Sequence, residues 1–92
     1  MKSIIQNNKE CFVCKTTKDL HEHHIIHGAN RRNSEKYGLK VWLCGWHHNL
    51  GGKSSVHGNA EFDLKLKQIA EQYFEKTYKE ENFIKIFGRS YK

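Results

Sequence analysis

Apolar positions recur along this chain with two different periods, and the change falls near Asn59. Beyond it, Phe62, Leu66, Ile69, Ala70, Tyr73 and Phe74 step by three and four, which is the spacing of one helix face. The pattern predicts a helix over residues 60–78. Asn59 stands where an N-cap belongs, Glu61 suits the positive end of the helix, and Leu64 falls off the stripe. A second, short helix is expected over 80–87, stopped by Gly88. The aromatic residues of this tail read as core.

Ahead of Asn59 the apolar runs are short. Residues 20–26 and 40–44 read as strands, and the second, Lys-Val-Trp-Leu-Cys, is rich in strand formers. Turn residues fill the stretch from Gly28 to Gly38, so an antiparallel pair joined by a long basic loop is expected. Residues 45–50 suit a helical turn, and Gly51-Gly52-Lys53-Ser54-Ser55 reads as a flexible connector. No repeat, low-complexity tract or proline interrupts the chain. These elements predict an α+β chain of one domain, with a head over 11–58 and a helical tail over 59–92.

Composition narrows the picture. With 92 residues, 37% of them hydrophobic, the chain can fill one small core. A core of that size often needs a metal or disulfides to hold it. Three cysteines cannot close a full disulfide framework. The mean hydropathy is −0.83, and no apolar run approaches the ~20 residues of a membrane span. The first ten residues lack the apolar stretch of a secretory signal, so a reducing cytoplasm away from any membrane is the expected setting. Sixteen Lys+Arg against ten Asp+Glu give a net charge of +6, which favours a polyanionic partner such as nucleic acid.

All seven histidines and all three cysteines lie between Cys11 and His57. Cys11 and Cys14 form a C-x2-C pair, and Cys44 and His47 a C-x2-H pair. Two intervening residues let a tight turn aim both side chains at one ion. Two such knuckles predict a closed, tetrahedral Cys3His zinc site, which is structural because no position remains for water or substrate. Zinc binding is worth ~10–16 kcal/mol in zinc-finger peptides, more than a small core offers. A redox C-x-x-C would be expected beside a βαβ pattern, which is absent.

Six histidines remain: His21, His23, His24, His27, His48 and His57. A second, open site would use them differently. His23 and His24 leave a strand, and His48 directly follows His47. Adjacent residues on a helical turn point ~100° apart, so His47 can face the zinc while His48 faces a groove.

The runs His23-His24-Ile25 and Leu43-Cys44-Gly45-Trp46-His47-His48-Asn49, preceded by Cys11-Phe12-Val13-Cys14, resemble an HNH endonuclease of the zinc-knuckle kind, especially small phage-type members. His57 and the run from Phe83 to Tyr91 share the resemblance, which extends from Cys11 onward. It implies a ββα-metal, treble-clef-like fold in which an antiparallel hairpin and a helix hold one divalent ion. The family's metal ligand and general-base His fall on His23 and His24, and its last His on His48. His47 replaces the second knuckle Cys. The family's middle Asn falls on Leu39, so Asn30 or Asn33 orients the base or that role is vacant. His23 and His24 face opposite sides of an ideal strand and share a site only if the strand bends or ends there. His57 is either an extra ligand or solvent-exposed, while His21 and His27 lie beside the ligands or face phosphate.

The implied activity is metal-dependent hydrolysis of DNA phosphodiester bonds, by nicking or double-strand cleavage. A neutral imidazole takes a proton from water near neutral pH, a role given to His24, with His23 the alternative base since the strand leaves the choice between the two open. The ion, on His23, His48 and His57, acts as a Lewis acid. Imidazole ligands suit Zn²⁺, Ni²⁺, Co²⁺ or Mn²⁺, with Mg²⁺ admissible where water and phosphate complete the shell. Arg31, Arg32, Lys36, Lys40 and Lys53 would form a basic rim for DNA phosphates. Trp42 and Trp46 read as packing residues, with exposure the alternative for Trp46. A non-catalytic zinc-knuckle module that binds nucleic acid is the alternative, and it leaves His23, His24 and His48 without work. A structural zinc domain serving a phage packaging or recombination partner leaves the charge unexplained too. The resemblance puts the protein in the cytoplasm of a bacterial or phage-infected cell.

Overall fold

The structure is a computed structural model describing Met1–Lys92. Strands β1 (Leu20–His24) and β2 (Lys40–Cys44) form an antiparallel two-stranded sheet, with Leu20 opposite Cys44 and His24 opposite Lys40. A helix α1 (Arg31–Tyr37) lies between them. The sheet is followed by one π-helical turn (Trp46–Leu50), a 3-10 turn (Gly52–Ser54), the long helix α2 (Ala60–Thr77) and the short helix α3 (Phe83–Phe87). The fold is small and α+β. No helix is long and apolar enough to cross a membrane.

Four expectations about elements change. The long basic loop is mostly α1, which ends at Gly38 in the left-handed conformation at φ 72°. Ile4 N–H donates to the Gly38 carbonyl at 3.0 Å, and a Cβ at Gly38 would sit 3.2 Å from that nitrogen, so glycine suits both the backbone and the contact. Strand β1 stops at His24 rather than at residue 26, because Ile25 and Ile26 turn into the core and Ile26 N–H bonds the Ser34 hydroxyl. The connector after residue 50 is an ordered 3-10 turn rather than an irregular linker. Ser55 is buried, its hydroxyl donates to the Gly52 carbonyl at 2.7 Å and accepts from Gly58 N–H at 3.1 Å, and the turn is fixed. Helix α3 begins at Phe83, since Asn82 caps it by accepting from Lys85 N–H.

Helix α2 begins as expected, with Asn59 Oδ1 accepting from the backbone of Glu61 and Phe62 at 3.0 and 3.1 Å. Leu66, Ala70 and Phe74 form its buried stripe, with Phe62 and Ile69 half-buried. Tyr73, expected on that stripe, is exposed, and Glu71 is buried in its stead. The Glu71 carboxylate is satisfied by Ser90 Oγ at 2.8 Å and Tyr91 N–H at 2.7 Å, which fastens the C-terminal segment to α2. Phe74 sits among Tyr37, Tyr78, Phe83 and Phe87, and these join Ile25, Leu39, Val41, Leu43 and Val56 in one apolar cluster.

The N-terminal segment runs along the outer edge of β2. Ser3 Oγ donates to the Lys40 carbonyl, Gln6 Oε1 accepts from Trp42 N–H, and Phe12 N–H donates to the Trp42 carbonyl. The strand edge is thereby covered, and the first knuckle is carried to the end of β2.

Candidate functional site

Two clusters of Cys and His side chains share the π-helical turn, one at the Cys44 end of the sheet and the other reaching His23 towards the opposite end of β1. The first is Cys11, Cys14, Cys44 and His47, whose donor atoms all lie within 4.8 Å of one another. Cys11 N–H bonds the Thr16 carbonyl at 2.8 Å, closing the first knuckle; Cys44 ends β2, and His47 projects from the π-helical turn. The sulfurs of Cys14 and Cys44 are 3.8 Å apart, and His47 Nδ1 is 3.3 and 3.7 Å from the sulfurs of Cys44 and Cys11. Sulfurs held ~2.3 Å from one ion at tetrahedral angles would sit ~3.8 Å apart. The four residues lie close enough to hold one metal ion, and their sulfur-rich chemistry is compatible with zinc. Burial pushes the Cys11 thiol up, but backbone N–H groups of Cys14, Cys44 and Val13 outweigh it and bring it down to about 6, so the thiolate needed for ligation is favoured. The Cys44 thiol is pushed up, first by burial.

The second cluster joins His23 from β1, His48 from the π-helical turn and His57 from the turn ahead of α2, again with donor atoms within 4.8 Å. His47 and His48 diverge as adjacent residues on a turn must. Val56 N–H bonds the His47 carbonyl at 2.8 Å and His57 N–H the His48 carbonyl at 3.3 Å, so the backbone itself places His57 beside His48. The imidazole centroids are 5.4 Å apart for His23 and His48, 5.5 Å for His23 and His57, and 4.7 Å for His48 and His57.

Two features of this cluster bear on whether it could hold a cation. His23 Nε2 is a buried polar atom with no hydrogen-bond partner, which is costly unless something else meets it. His48 Nε2 and His57 Nε2 face each other at 3.1 Å. Two nitrogens each ~2.1 Å from one ion lie ~3.0–3.4 Å apart, so the spacing fits a shared ligand position. Burial lowers the His23 imidazole to about 3, with His48, His57 and His27 adding to it, and it stays neutral as a ligand must. Burial lowers His48 as well.

His24 faces the other side of β1. Its Nε2 lies 2.9 Å from Glu35 Oε1, and Glu35 Oε2 accepts from Lys40 Nζ at 2.6 Å. Lys40 Nζ also donates to Glu22 Oε1 at 2.9 Å. Since a carboxylate only accepts, this arrangement puts the His24 proton on Nε2 and leaves Nδ1 with its lone pair. Because β1 ends at His24, His23 and His24 nevertheless line one cleft of about 180 Å³ with His27, Arg31, His48 and His57.

Several expected site residues stand elsewhere. Lys40 is not on a basic rim: it is 3% exposed and held by Glu22 and Glu35, because register places it opposite His24. Its ammonium is raised, since Glu35 and Glu22 outweigh the opposing effect of burial. Asn30 and Asn33 do not touch His24; their amides donate to the Phe87 and Ile86 carbonyls and tie α1 to α3. Arg31, Arg32 and Lys36 are exposed on α1, where Arg31 lines the histidine cleft and Arg32 the neighbouring groove. Lys53 is exposed on the 3-10 turn. His27 lies 3.5 Å from Asp63, and His21 contacts His48. Trp42 is half-buried, whereas Trp46 is 58% exposed, with one side of its ring against Gly51. Sequence reasoning passed over Glu22, Glu35 and Asp19. Strand alternation puts Glu22 on the side of His24, a signal that was available for that residue alone.

No family model matches the chain, and no curated protein or solved structure matches it.

Proposed function

We propose that this protein is a metal-dependent DNA endonuclease of the ββα-metal, HNH kind, with zinc in the Cys3His cluster and a second divalent ion on His23, His48 and His57. The observation that carries the reading is one cleft lined both by a three-histidine cluster, in which the buried His23 Nε2 has no hydrogen-bond partner, and by His24, whose own partner is the Glu35 carboxylate. Zinc in the first cluster would clamp the N-terminal knuckle to the end of β2 and fix the turn that carries His48. A closed set of four ligands leaves it no catalytic opening.

An ion on the three histidines would supply Lewis-acid stabilisation of the scissile phosphate and the leaving oxygen. The chain's own residues supply the rest. His24 Nδ1 takes the proton from the attacking water. Glu35 holds His24 in the required tautomer and favours the imidazolium that forms, the service a carboxylate gives a general-base histidine in other hydrolases. Lys40 holds the Glu35 carboxylate in place and, with His24, draws it down to about 2, so it stays an acceptor throughout. Glu35 thus fills the place expected for an asparagine. Arg31 at the cleft and Arg32 beside it meet backbone phosphates, which positions DNA without reading its sequence. The helix of the ββα pattern would be the single π-helical turn that carries His47 and His48.

The test is supercoiled plasmid incubated with zinc-loaded protein and Mg²⁺, Mn²⁺, Ni²⁺ or EDTA, beside a His24→Ala variant of verified zinc content. Metal-dependent relaxation or linearisation that the variant loses is the expected result. Equal cleavage by the variant would remove His24 as the base. No cleavage with any metal, together with salt-dependent DNA binding, would replace the enzyme with a zinc-knuckle binding module.

A further inference from the structure

One chain of contacts reaches the histidine cluster from outside it. Asp19 Oδ1 lies 3.1 Å from His21 Nε2, His21 Nδ1 lies 2.8 Å from His48 Nδ1, and His48 Nε2 faces the cluster. Each link constrains the next. An ionised carboxylate only accepts, so His21 carries its proton on Nε2. A neutral imidazole has one N–H, so His21 Nδ1 is an acceptor. The 2.8 Å contact then requires a donor, which is His48 Nδ1–H, and the His48 lone pair is left on Nε2. In the opposite tautomer an N–H would point to where a ligand lone pair is needed.

The position of Asp19 is built into the backbone. Its φ is 51°, in the left-handed region that aspartate and asparagine enter more readily than other side chains. Its carbonyl accepts from Gly45 N–H at 3.0 Å, and a Cβ at Gly45 would lie 2.2 Å from Asp19 Oδ2. The glycine between the knuckle's Cys44 and the π-helical turn therefore leaves room for this carboxylate. Strand alternation does the remainder, since His21 and His23 lie two apart on β1 and face the same side.

We propose that Asp19 and His21 are positioning residues that fix the tautomer of His48 and aim its Nε2 at the ion held by the histidine cluster; this rests on the reading of that cluster as a metal site. Partners that contact metal ligands in this way typically change affinity ~10–100-fold when lost.

The experiment titrates Ni²⁺ calorimetrically into zinc-loaded wild type, His21→Ala, His21→Asn and Asp19→Asn, with zinc content measured in each. Long-range ¹H–¹⁵N spectra of the histidine rings in the same metal-free-cluster proteins report the tautomers. His21→Ala is expected to weaken nickel binding ~10–100-fold and to release His48 from its single tautomer. His21→Asn places an acceptor oxygen on the γ-carbon, where Nδ1 was, and should restore most of the affinity. Asp19→Asn keeps the left-handed backbone and should lose several-fold. Unchanged nickel affinity in both His21→Ala and Asp19→Asn would overturn the proposal. If wild type takes up no second ion, the metal reading fails and the aiming of Nε2 at an ion falls with it, while the spectra still decide the tautomer relay: a His48 protonated on Nε2 in wild type would refute it, and one protonated on Nδ1 only while His21 is present would sustain it.

Discussion

The Cys11–Cys14–Cys44–His47 cluster offers four donors from two knuckles, while the His23–His48–His57 cluster offers three from a strand and two turns and opens on a cleft. They share the π-helical turn, where His47 serves one and His48 the other. The first is spelled out by spacing: each pair of donors is separated by two residues, and only the meeting of the pairs needs a fold. The second has no internal spacing at all, because His23, His48 and His57 come together through strand register and through backbone bonds between 47–48 and 56–57. A closed cluster should therefore support the fold, and an open one should support chemistry while the fold tolerates its loss.

The largest expected difference follows from removing metal. Stripping the Cys3His site with a strong chelator, or Cys44→Ser, should abolish the cooperative thermal transition, since structural zinc is worth ~10 kcal/mol or more in small domains. His57→Ala, whose side chain is exposed, should leave that transition within ~0.5 kcal/mol. Circular dichroism on heating compares the two, and similar losses in both would erase the distinction drawn here.

Next in size is the separation of chemistry from metal binding on the two sides of β1. His24→Ala should lower plasmid cleavage ~10²–10⁴-fold, the usual contribution of a positioned base, while nickel uptake by the histidine cluster is retained. His23→Ala should lose both. A His24→Ala protein that also fails to bind the second ion would merge the two faces into one ligand set.

Lys40 sharpens the comparison from the side of stability. Replacing this buried cation by Met removes the partner of both Glu22 and Glu35, with an expected cost of ~1–3 kcal/mol in urea unfolding. The salt dependence of DNA binding should stay the same, because Lys40 faces no phosphate. Arg31→Ala should do the reverse, keeping stability and lowering the slope of log affinity against log salt by ~1.

The smallest effect is the acid limb of stability. Glu35 ionises at about 2 in the folded protein against an ordinary 4.5, held down first by Lys40 and then by His24. The unfolded chain binds this proton at the higher pH, so the contribution is complete above about 4.5 and is lost as pH falls through that value towards about 2. Thermal unfolding of Glu35→Gln should therefore show a shallower loss across that window than wild type. A parallel pair of curves would mean that the Lys40–Glu35 contact contributes nothing in solution.

The sequence by itself determined what depends on neighbours along the chain. The knuckle pairs, the cap at Asn59, the stop at Gly88 and the apolar stripe of α2 are fixed by bond geometry and helical period, which act over a few residues. Residue order also marked His23, His48 and His57 as chemistry without settling that they meet. Tertiary structure alone decided the partners. It turned the loop between the strands into α1, which brought Glu35 over His24 and Lys40, and it fixed the turn after residue 50 so that His57 reaches His48. It also set Asp19 against Gly45 and within reach of His21. Contacts of this kind depend on strand register, on the packing of α1 and on where backbone hydrogen bonds close, and those are set by the whole core rather than by any local spacing.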